Sequence, residues 1–274
     1  MRIIVLVLSI IHFFLLISFS VAEAKVSLVD IPYLENGKKK LSNRTLVINP
    51  DDSQAVAIYL KGGDGLFRWT SSTTKAKRQN VDQAALDLGK KNITVLVPDW
   101  PYNMDIKGGG SMMVCGKRCS EETNMRLLNV MEFAQKNYPN KPIWIIGHSN
   151  GTTSIEYFAN YLKKLNRLSE LKAVILSGTR KEIRIKLPEL RIFMVHGALD
   201  GCPGTLPEIA KFTYAIHKEW MKDNISLHWI TGVKKNGKPQ KPFGGCEGDS
   251  SHAYKYAVEE ATNMFSKLIL GKIN

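Results

Sequence analysis

Beyond its first residues, the sequence lacks an apolar run long enough to cross a membrane, and it lacks internal repeats, linkers and low-complexity stretches. These absences argue against a polytopic membrane protein, a repeat array and a chain of separate modules. Wholesale disorder is excluded too, because hydrophobic residues make up 44% and charged residues 23% of the 274 residues. A single domain over residues 25–274 fits this composition best.

The one long apolar segment lies at the N-terminus. Residues 3–19 are almost wholly apolar, Arg2 precedes them, and small residues follow at Ala22 and Ala24. A basic start, an apolar stretch and an A-x-A ending are typical of a secretory signal peptide, which we predict over residues 1–24. The mature chain is then expected to be secreted or periplasmic. The alternative is an uncleaved N-terminal membrane anchor, since the apolar segment approaches spanning length.

Acidic residues are few compared with basic ones. The chain has 38 lysines and arginines against 25 aspartates and glutamates, a formal net charge of +13. This charge favours non-specific contact with anionic surfaces. The basic residues are scattered and accompany no nucleic-acid-binding motif, so we predict a solvated surface and no nucleic-acid partner. The sequence leaves the oligomeric state open.

Cysteine is also scarce, and the four cysteines are Cys115, Cys119, Cys202 and Cys246. An even number of cysteines in an exported protein predicts two disulfides. Four cysteines allow three pairings, and their spacing does not select one. A zinc site is the rival interpretation, which export disfavours, and we predict no metal.

Short apolar runs alternate with segments of helical periodicity. The runs predict strands at residues 55–60, 93–97, 143–146, 171–176, 192–195 and 226–231. The periodic segments predict helices at residues 81–91, 121–138, 152–165, 206–221 and 253–270. Strands that are apolar throughout and are separated by helices indicate an α/β protein, with a mostly parallel central sheet and helices on both faces.

The motif Gly147-His-Ser-Asn-Gly151 follows one of these strands and precedes a helix. That context is the one required by a nucleophile elbow, a sharp turn that exposes a catalytic serine, here Ser149. Small residues must stand two positions before and after the nucleophile. The amide of Asn150 then points toward the reacting carbonyl group from a helix N-terminus. The alternative is a glycine-rich turn with an idle serine.

A serine hydroxyl needs a general base, which an acid orients. Asp200 follows a predicted strand and lies at the carboxyl edge of the sheet, although a turn or cap role is the alternative. His252 precedes the last predicted helix, and its position suits a base that reaches Ser149; a surface role is its alternative. We expect core or surface roles for the remaining histidines of the mature chain: His148, His196, His217 and His228.

The order Ser149, Asp200, His252, together with the segments at 147–151 and 195–200, resembles the α/β-hydrolase-fold serine hydrolases, the esterase- and lipase-like superfamily. The Gly62-Gly-Asp-Gly65 turn resembles the HGGG-type loop of that family, although lysine stands at position 61 and aspartate within the glycines. The resemblance implies that backbone amides of Asn150 and of Gly63 or Asp64 form the oxyanion hole.

The same resemblance implies that the loops after the strands lie together at one rim of the active site. It implies a Cys202–Cys246 disulfide between the acid loop and the base loop, and leaves Cys115 and Cys119 to close a small loop beside the site. It also implies that no sizeable cap domain is present, because the segment between residues 176 and 191 is too short to hold one.

Aromatic residues on the predicted rim could line an acyl or alcohol pocket: Phe67, Trp69, Trp100 and Tyr102. The alternative is that several of them pack beneath the loops. The resemblance implies hydrolysis of a small-molecule or polymeric carboxylic ester through an acyl-enzyme, without a cofactor. Thioester or peptide cleavage, a noncatalytic binding module and a cell-surface structural protein are the alternatives.

Overall fold

The structure is a computed structural model, and it describes residues 24–35, 38–63, 65, 67, 69, 80–99, 116–232, 245–247 and 250–273. Nearly all of the predicted signal peptide lies outside these residues. No helix in the described ranges is both long and apolar enough to cross a membrane.

The strands within the described ranges form one eight-stranded sheet in the order β1-β2-β4-β3-β5-β6-β7-β8. They are β1 Lys25–Glu35, β2 Lys38–Asn49, β3 Ala55–Leu60, β4 Ile93–Pro98, β5 Ile143–His148, β6 Leu171–Ser177, β7 Ile192–Gly197 and β8 Ile225–Ile230. Strands β3 to β8 are parallel, whereas β2 is antiparallel to β4 and β1 to β2. The prediction of a mostly parallel sheet is confirmed.

The six strands predicted from apolar runs are β3 to β8, with ends within two residues of the prediction. The pair β1 and β2 was not predicted. It forms an antiparallel edge in which Val26 faces Ile48 and Leu28 faces Leu46 in the register. The sheet is therefore extended at its N-terminal edge by a hairpin that carries no part of the candidate site.

The α-helices of the described part of the chain are α1 Asn80–Leu86, α2 Glu121–Asn137, α3 Asn150–Lys164, α4 Pro207–Met221 and α5 Val258–Ile269. A 3-10 turn at Asp87–Lys91 continues α1. The last predicted helix was wrong at its start, because α5 begins five residues later, at Val258. Tyr254 and Tyr256 have φ angles of 61° and 65°, which an α-helix does not accommodate, so residues 251–256 form turns.

Alternate residues of each central strand enter different cores. On β3, Ala55, Ala57 and Tyr59 pack on the side covered by α1 and α5. Val56, Ile58 and Leu60 pack on the side covered by α2 and α3. Because both faces are covered by helices, all six positions of β3 must be apolar, which explains the continuous apolar run in the sequence.

The carboxyl ends of the parallel strands lie side by side along one rim of the sheet. The loops that follow β3, β5 and β7 therefore meet at this carboxyl edge. The connection 178–191 between β6 and β7 contains only turns and extended chain. The prediction that this segment holds no cap domain is confirmed.

Candidate active site

A sharp turn between β5 and α3 carries Ser149. Its backbone angles, φ 50° and ψ −118°, lie in a region that L-residues rarely occupy, at a cost of about 1–3 kcal/mol. A Cβ atom on Gly147 would lie 2.6 Å from the carbonyl oxygen of Gly151, and one on Gly151 would lie 2.1 Å from that of Leu60. The turn therefore requires glycine at both positions, which is the pattern that predicted it.

The turn fixes Ser149 at the carboxyl edge of the sheet. Its amide donates a hydrogen bond to the carbonyl oxygen of Ser177, at the end of β6, over 2.9 Å. The amide of Asn150 is the first in α3, and the first amides of a helix have no acceptor within it. This amide is therefore available to an incoming oxyanion, as the elbow motif predicts.

Asp200 and His252 meet beside this turn. Nδ1 of His252 lies 2.8 Å from Oδ2 of Asp200, and the two residues are only 3% and 4% exposed. A carboxylate accepts hydrogen bonds, so this contact places the imidazole proton on Nδ1. In the neutral imidazole, Nε2 is then the nitrogen without a proton, which is the one that can act as a general base.

The Asp200 carboxylate is held from several sides. Its Oδ1 accepts a 2.9 Å hydrogen bond from the amide of Cys202, and Nε2 of His196 lies 3.3 Å from its Oδ2. Burial alone would raise the pKa of Asp200, but the hydrogen bonds from His196 and His252 outweigh burial and hold the pKa well below its usual range. Asp200 is therefore ionised beside the imidazole that it orients.

Thr205 is a site residue that the sequence analysis missed. Its Oγ1 lies 3.0 Å from Nδ1 of His252 and donates to the carbonyl oxygen of Cys202 over 3.4 Å. The carbonyl oxygen of Thr205 lies 2.6 Å from Nε2 of His196. Thr205 thus contacts both histidines around Asp200. No motif marks it, and its contact with His252 spans 47 positions of the chain, so the sequence alone carries no signal for it.

His252 lies next to the elbow. The centroid of its ring is 4.6 Å from that of His148, the residue directly before Ser149. In the described part of the chain, the hydrogen bonds of His252 all involve Nδ1, and none joins its Nε2 to Oγ of Ser149. In substrate-free enzymes this contact is often long and tightens in the complex with substrate.

A core or a surface role was predicted for His148; it is fully buried, and it also contacts the candidate base. Its Nδ1 lies 3.1 Å from Oγ of Ser177, which lies 2.7 Å from the hydroxyl of Tyr254, which donates to the carbonyl oxygen of Val195. That carbonyl only accepts, so each preceding group donates forward, and Nδ1 of His148 carries the proton. Burial, followed by the nearby His252, lowers the pKa of His148 well below its ordinary value.

The loop after β3 lies against the elbow. A Cβ atom on Gly62 would lie 3.2 Å from Cβ of Ser149. The side chain of Asn150 donates from Nδ2 to the carbonyl oxygen of Gly63 over 3.2 Å, which ties this loop to the start of α3. Gly63 is thus beside the nucleophile. Asp64, the other predicted second oxyanion donor, lies outside the described residues.

The predicted Cys202–Cys246 disulfide is present and joins the acid loop to the segment before His252. Cys119 is also disulfide-bonded. Its predicted partner, Cys115, lies outside the described residues. The described residues hold no group of three or more histidine, cysteine or acidic side chains that is arranged for a metal ion.

Two of the four predicted rim aromatics are buried in the core. Phe67 and Trp69 are 3% and 1% exposed, and their rings stack with centroids 4.6 Å apart. Their amides donate to the Asp99 carboxylate over 2.7 and 2.9 Å. These contacts correspond to the alternative of packing beneath the loop, because a ring this buried offers almost no surface to a substrate. Trp100 and Tyr102 lie outside the described residues.

The strand order, the strained elbow and the acid–base pair on the neighbouring loops define the α/β-hydrolase fold, and the chain has this fold. No protein-family model and no curated protein sequence matches it.

Solved structures with the same fold include dienelactone hydrolase from Anabaena variabilis ATCC 29413. That enzyme is 12% identical, with a TM-score of 0.63 over 91% of this chain and 98% of its own. A lidless α/β serine hydrolase from Xanthomonas campestris is 13% identical, with a TM-score of 0.55 over 91% and 94%. Brefeldin A esterase, a bacterial homologue of human hormone-sensitive lipase, is 12% identical, with a TM-score of 0.59 over 91% and 76%.

Proposed function

We propose that the chain is a serine hydrolase that cleaves carboxylic esters through an acyl-enzyme, with Ser149, Asp200 and His252 as its triad. The observation that carries the proposal is the 2.8 Å contact between Asp200 and His252 beside a serine on a strained elbow. An idle serine would not require this strain, and a structural histidine would not require a buried carboxylate on Nδ1.

In the first half of the reaction, Oγ of Ser149 attacks the ester carbonyl carbon while Nε2 of His252 takes its proton. Asp200 keeps the imidazole in the required tautomer and stabilises the imidazolium that forms. The amide of Asn150 and the amide of Gly63 or Asp64 hold the oxyanion of the tetrahedral intermediate. The bond to the alcohol oxygen then breaks, and His252 returns its proton to the leaving alcohol.

In the second half, water replaces the alcohol. His252 removes a proton from water, the hydroxide oxygen attacks the acyl carbon, and the bond to Ser149 Oγ breaks as Oγ regains a proton. All proton transfers pass through one imidazole, so the reaction requires no cofactor.

Esterases among the structures of the same fold support the ester as substrate class, whether a small molecule or a polymer. Thioesters and peptides would meet the same machinery, and substrate assays separate these leaving groups. A noncatalytic binding module is the remaining alternative. It is disfavoured because a triad kept in this arrangement serves no binding purpose.

The direct test is labelling with a fluorophosphonate probe, in which Oγ of an activated serine attacks phosphorus and expels fluoride. We expect the disulfide-intact protein to form one adduct, which mass spectrometry maps to Ser149. Ser149→Ala should abolish the adduct. His252→Ala should slow its formation severely, because the hydroxyl then lacks its base.

Absence of labelling on folded protein would overturn the proposal. Equal labelling of the wild type and His252→Ala would show a serine that reacts without the triad, and would overturn the assigned roles. An adduct on another serine would place the nucleophile elsewhere.

We also propose that the chain is exported after cleavage at residue 24. The Cys202–Cys246 disulfide supports export, because structural disulfides form mainly in oxidising compartments. N-terminal sequencing of protein recovered outside the cytoplasm should begin at Lys25. Recovery of the intact N-terminus from membranes would favour the anchor instead.

A further inference from the structure

Arg118 is a fully buried arginine behind the loop that follows β3. It belongs to the short 3-10 turn Gly116–Cys119 and is 1% exposed. Its Nη1 donates to Oγ of Ser154, in the second turn of α3, over 3.2 Å. Arg118 therefore contacts the helix that begins at the elbow, although it is remote from Ser149 in sequence.

The second terminal nitrogen of the guanidinium, Nη2, contacts three successive backbone carbonyl groups. Nη2 of Arg118 donates to the carbonyl oxygens of Lys61, Gly62 and Gly63 over 3.2, 3.5 and 2.8 Å. The carbonyl of Gly63 also accepts from Nδ2 of Asn150 over 3.2 Å. The carbonyls of this loop are thus held from two sides, by Arg118 and by the side chain of Asn150.

The direction of these carbonyls sets the direction of the amides. In a trans peptide group, C=O and N–H point in opposite directions, and the described residues contain no cis peptide bond. The amides of Gly62 and Gly63 share peptide groups with carbonyls that point at Arg118, so these amides point away from it. The loop at Gly62 lies against Ser149, as the 3.2 Å approach of its Cβ position shows.

A guanidinium keeps its charge at every working pH. A cation that binds a carbonyl draws electron density toward that oxygen, and the N–H of the same peptide group becomes a stronger donor. This effect grows when the acceptor of that N–H carries a negative charge. It therefore favours a tetrahedral oxyanion over a neutral ester carbonyl.

We propose that Arg118 is the positioning residue of the oxyanion hole: its guanidinium orients the peptide groups after β3 and polarises their amides toward the reacting carbonyl. This inference rests on the proposed function. It assigns Arg118 a role in transition-state stabilisation without contact with the substrate.

The test uses Arg118→Lys, which keeps a positive charge but cannot bridge three carbonyls and Ser154. Arg126→Lys is the matched control, because Arg126 is also buried, at 3% exposure, and instead pairs with Glu122 over 2.9 Å. With p-nitrophenyl acetate, we expect Arg118→Lys to lower kcat about 10- to 100-fold and to change KM less than about twofold. Affinity for a trifluoromethyl ketone, which forms a tetrahedral adduct on the nucleophile, should fall in parallel.

Arg126→Lys should lower Tm about as much as Arg118→Lys does, but it should not lower kcat in the same way. Equal kcat for the two variants, or a KM effect alone, would overturn the role of Arg118. If Arg118→Lys does not fold, Ser154→Ala keeps Arg118 and removes one of its anchors. A several-fold fall in kcat at constant KM would support the proposal, and an unchanged kcat would overturn it.

Measurements on the wild type distinguish a failure of this inference from a failure of the proposed function. A wild-type protein with no fluorophosphonate adduct and no ester turnover would overturn both. An active wild type whose Arg118 variants keep their labelling rate and kcat would overturn the role of Arg118 alone.

Discussion

Oδ2 of Asp200 lies 2.8 Å from Nδ1 of His252, although the two residues are separated by 52 positions in the chain. Asp200 follows β7, and His252 stands in a series of turns before α5. Because the last helix begins only at Val258, the backbone around His252 is free to bring the imidazole over the end of the sheet. The late start of α5 is therefore part of the site.

Replacement of the acid tests this contact. Asp200→Asn should keep the shape of the side chain but remove the charge that selects the Nδ1 tautomer, and we expect kcat to fall about 10⁴-fold. The measurement is ester turnover, with the thermal transition as a check on folding. In a His252→Ala background the same substitution should lower kcat little further, because the two residues act as one unit. Additive losses would contradict that coupling.

A second prediction concerns Thr205, for which we expect a smaller loss of activity than for Asp200. Thr205→Val should remove the hydroxyl beside Nδ1 of His252, and at about 1 kcal/mol for one hydrogen bond it should lower kcat/KM about fivefold. Thr213→Val is the control: Thr213 is equally buried on α4, and its Oγ1 has no hydrogen-bond partner within the described residues. Steady-state kinetics should show no change for that variant. Identical rates for both variants would show that the Thr205 hydroxyl does not position the base.

His148 predicts a dependence of stability on pH. Its pKa in the folded protein is lowered well below the ordinary value, chiefly by burial, with His252 and His196 also lowering it and Asp200 opposing them. In the unfolded chain the pKa is about 6.5, so below that pH the unfolded state binds a proton that the folded state does not. The free energy of unfolding should therefore fall as pH drops, by up to about 1.4 kcal/mol per pH unit for this residue.

His148→Asn keeps a donor toward Ser177 and removes the titration. Denaturant unfolding of both proteins between pH 8 and pH 5 should give a shallower fall for the variant. The difference near pH 8, where His148 is neutral in both states, reports all effects other than titration. Parallel curves over the whole range would mean that His148 takes up its proton in the folded protein as readily as in the unfolded chain.

The Cys202–Cys246 bond gives a prediction on stability. Replacement of both cysteines by alanine should lower the free energy of unfolding by about 2–4 kcal/mol, because the unfolded chain regains the freedom of a long loop. Near the unfolding temperature, activity should fall together with this free energy of unfolding. A reductant added to this variant then reports the disulfide of Cys119 alone. An unchanged unfolding curve for the double variant would show that packing alone holds the two loops.

Much of the fold follows from the sequence because strands buried on both faces must be apolar throughout. That rule located β3 to β7, whereas β8, at the opposite edge of the sheet, carries Ser226 and His228 and is only partly buried. The rule failed for β1 and β2, which form the N-terminal edge of the sheet, where polar residues such as Asp30 and Arg44 are tolerated and pair with each other. The dipeptide Asn36-Gly37 between these strands is a residue pair typical of tight hairpins, and it was an available signal.

The candidate site was predictable where a motif imposes local geometry, as at Ser149, or where chain order is informative, as at Asp200 and His252. Arg118 and Thr205 were not predictable in this way. Their contacts join segments far apart in sequence, and arginine is almost never fully buried, so its residue type pointed to the surface. Such side chains become visible only when the loops after β3, β5 and β7 are brought together.

The Cys202–Cys246 bridge closes a ring of backbone that contains the whole of α4 and β8. Asp200 stands just before this ring and His252 just after it. A protease that cuts one peptide bond inside the ring produces two peptides, yet the bridge keeps the acid and the base in one covalent molecule. Without the bridge, the same cut would leave His252 on a fragment held only by packing. The protein should therefore migrate as two fragments after such a nick only when it is reduced.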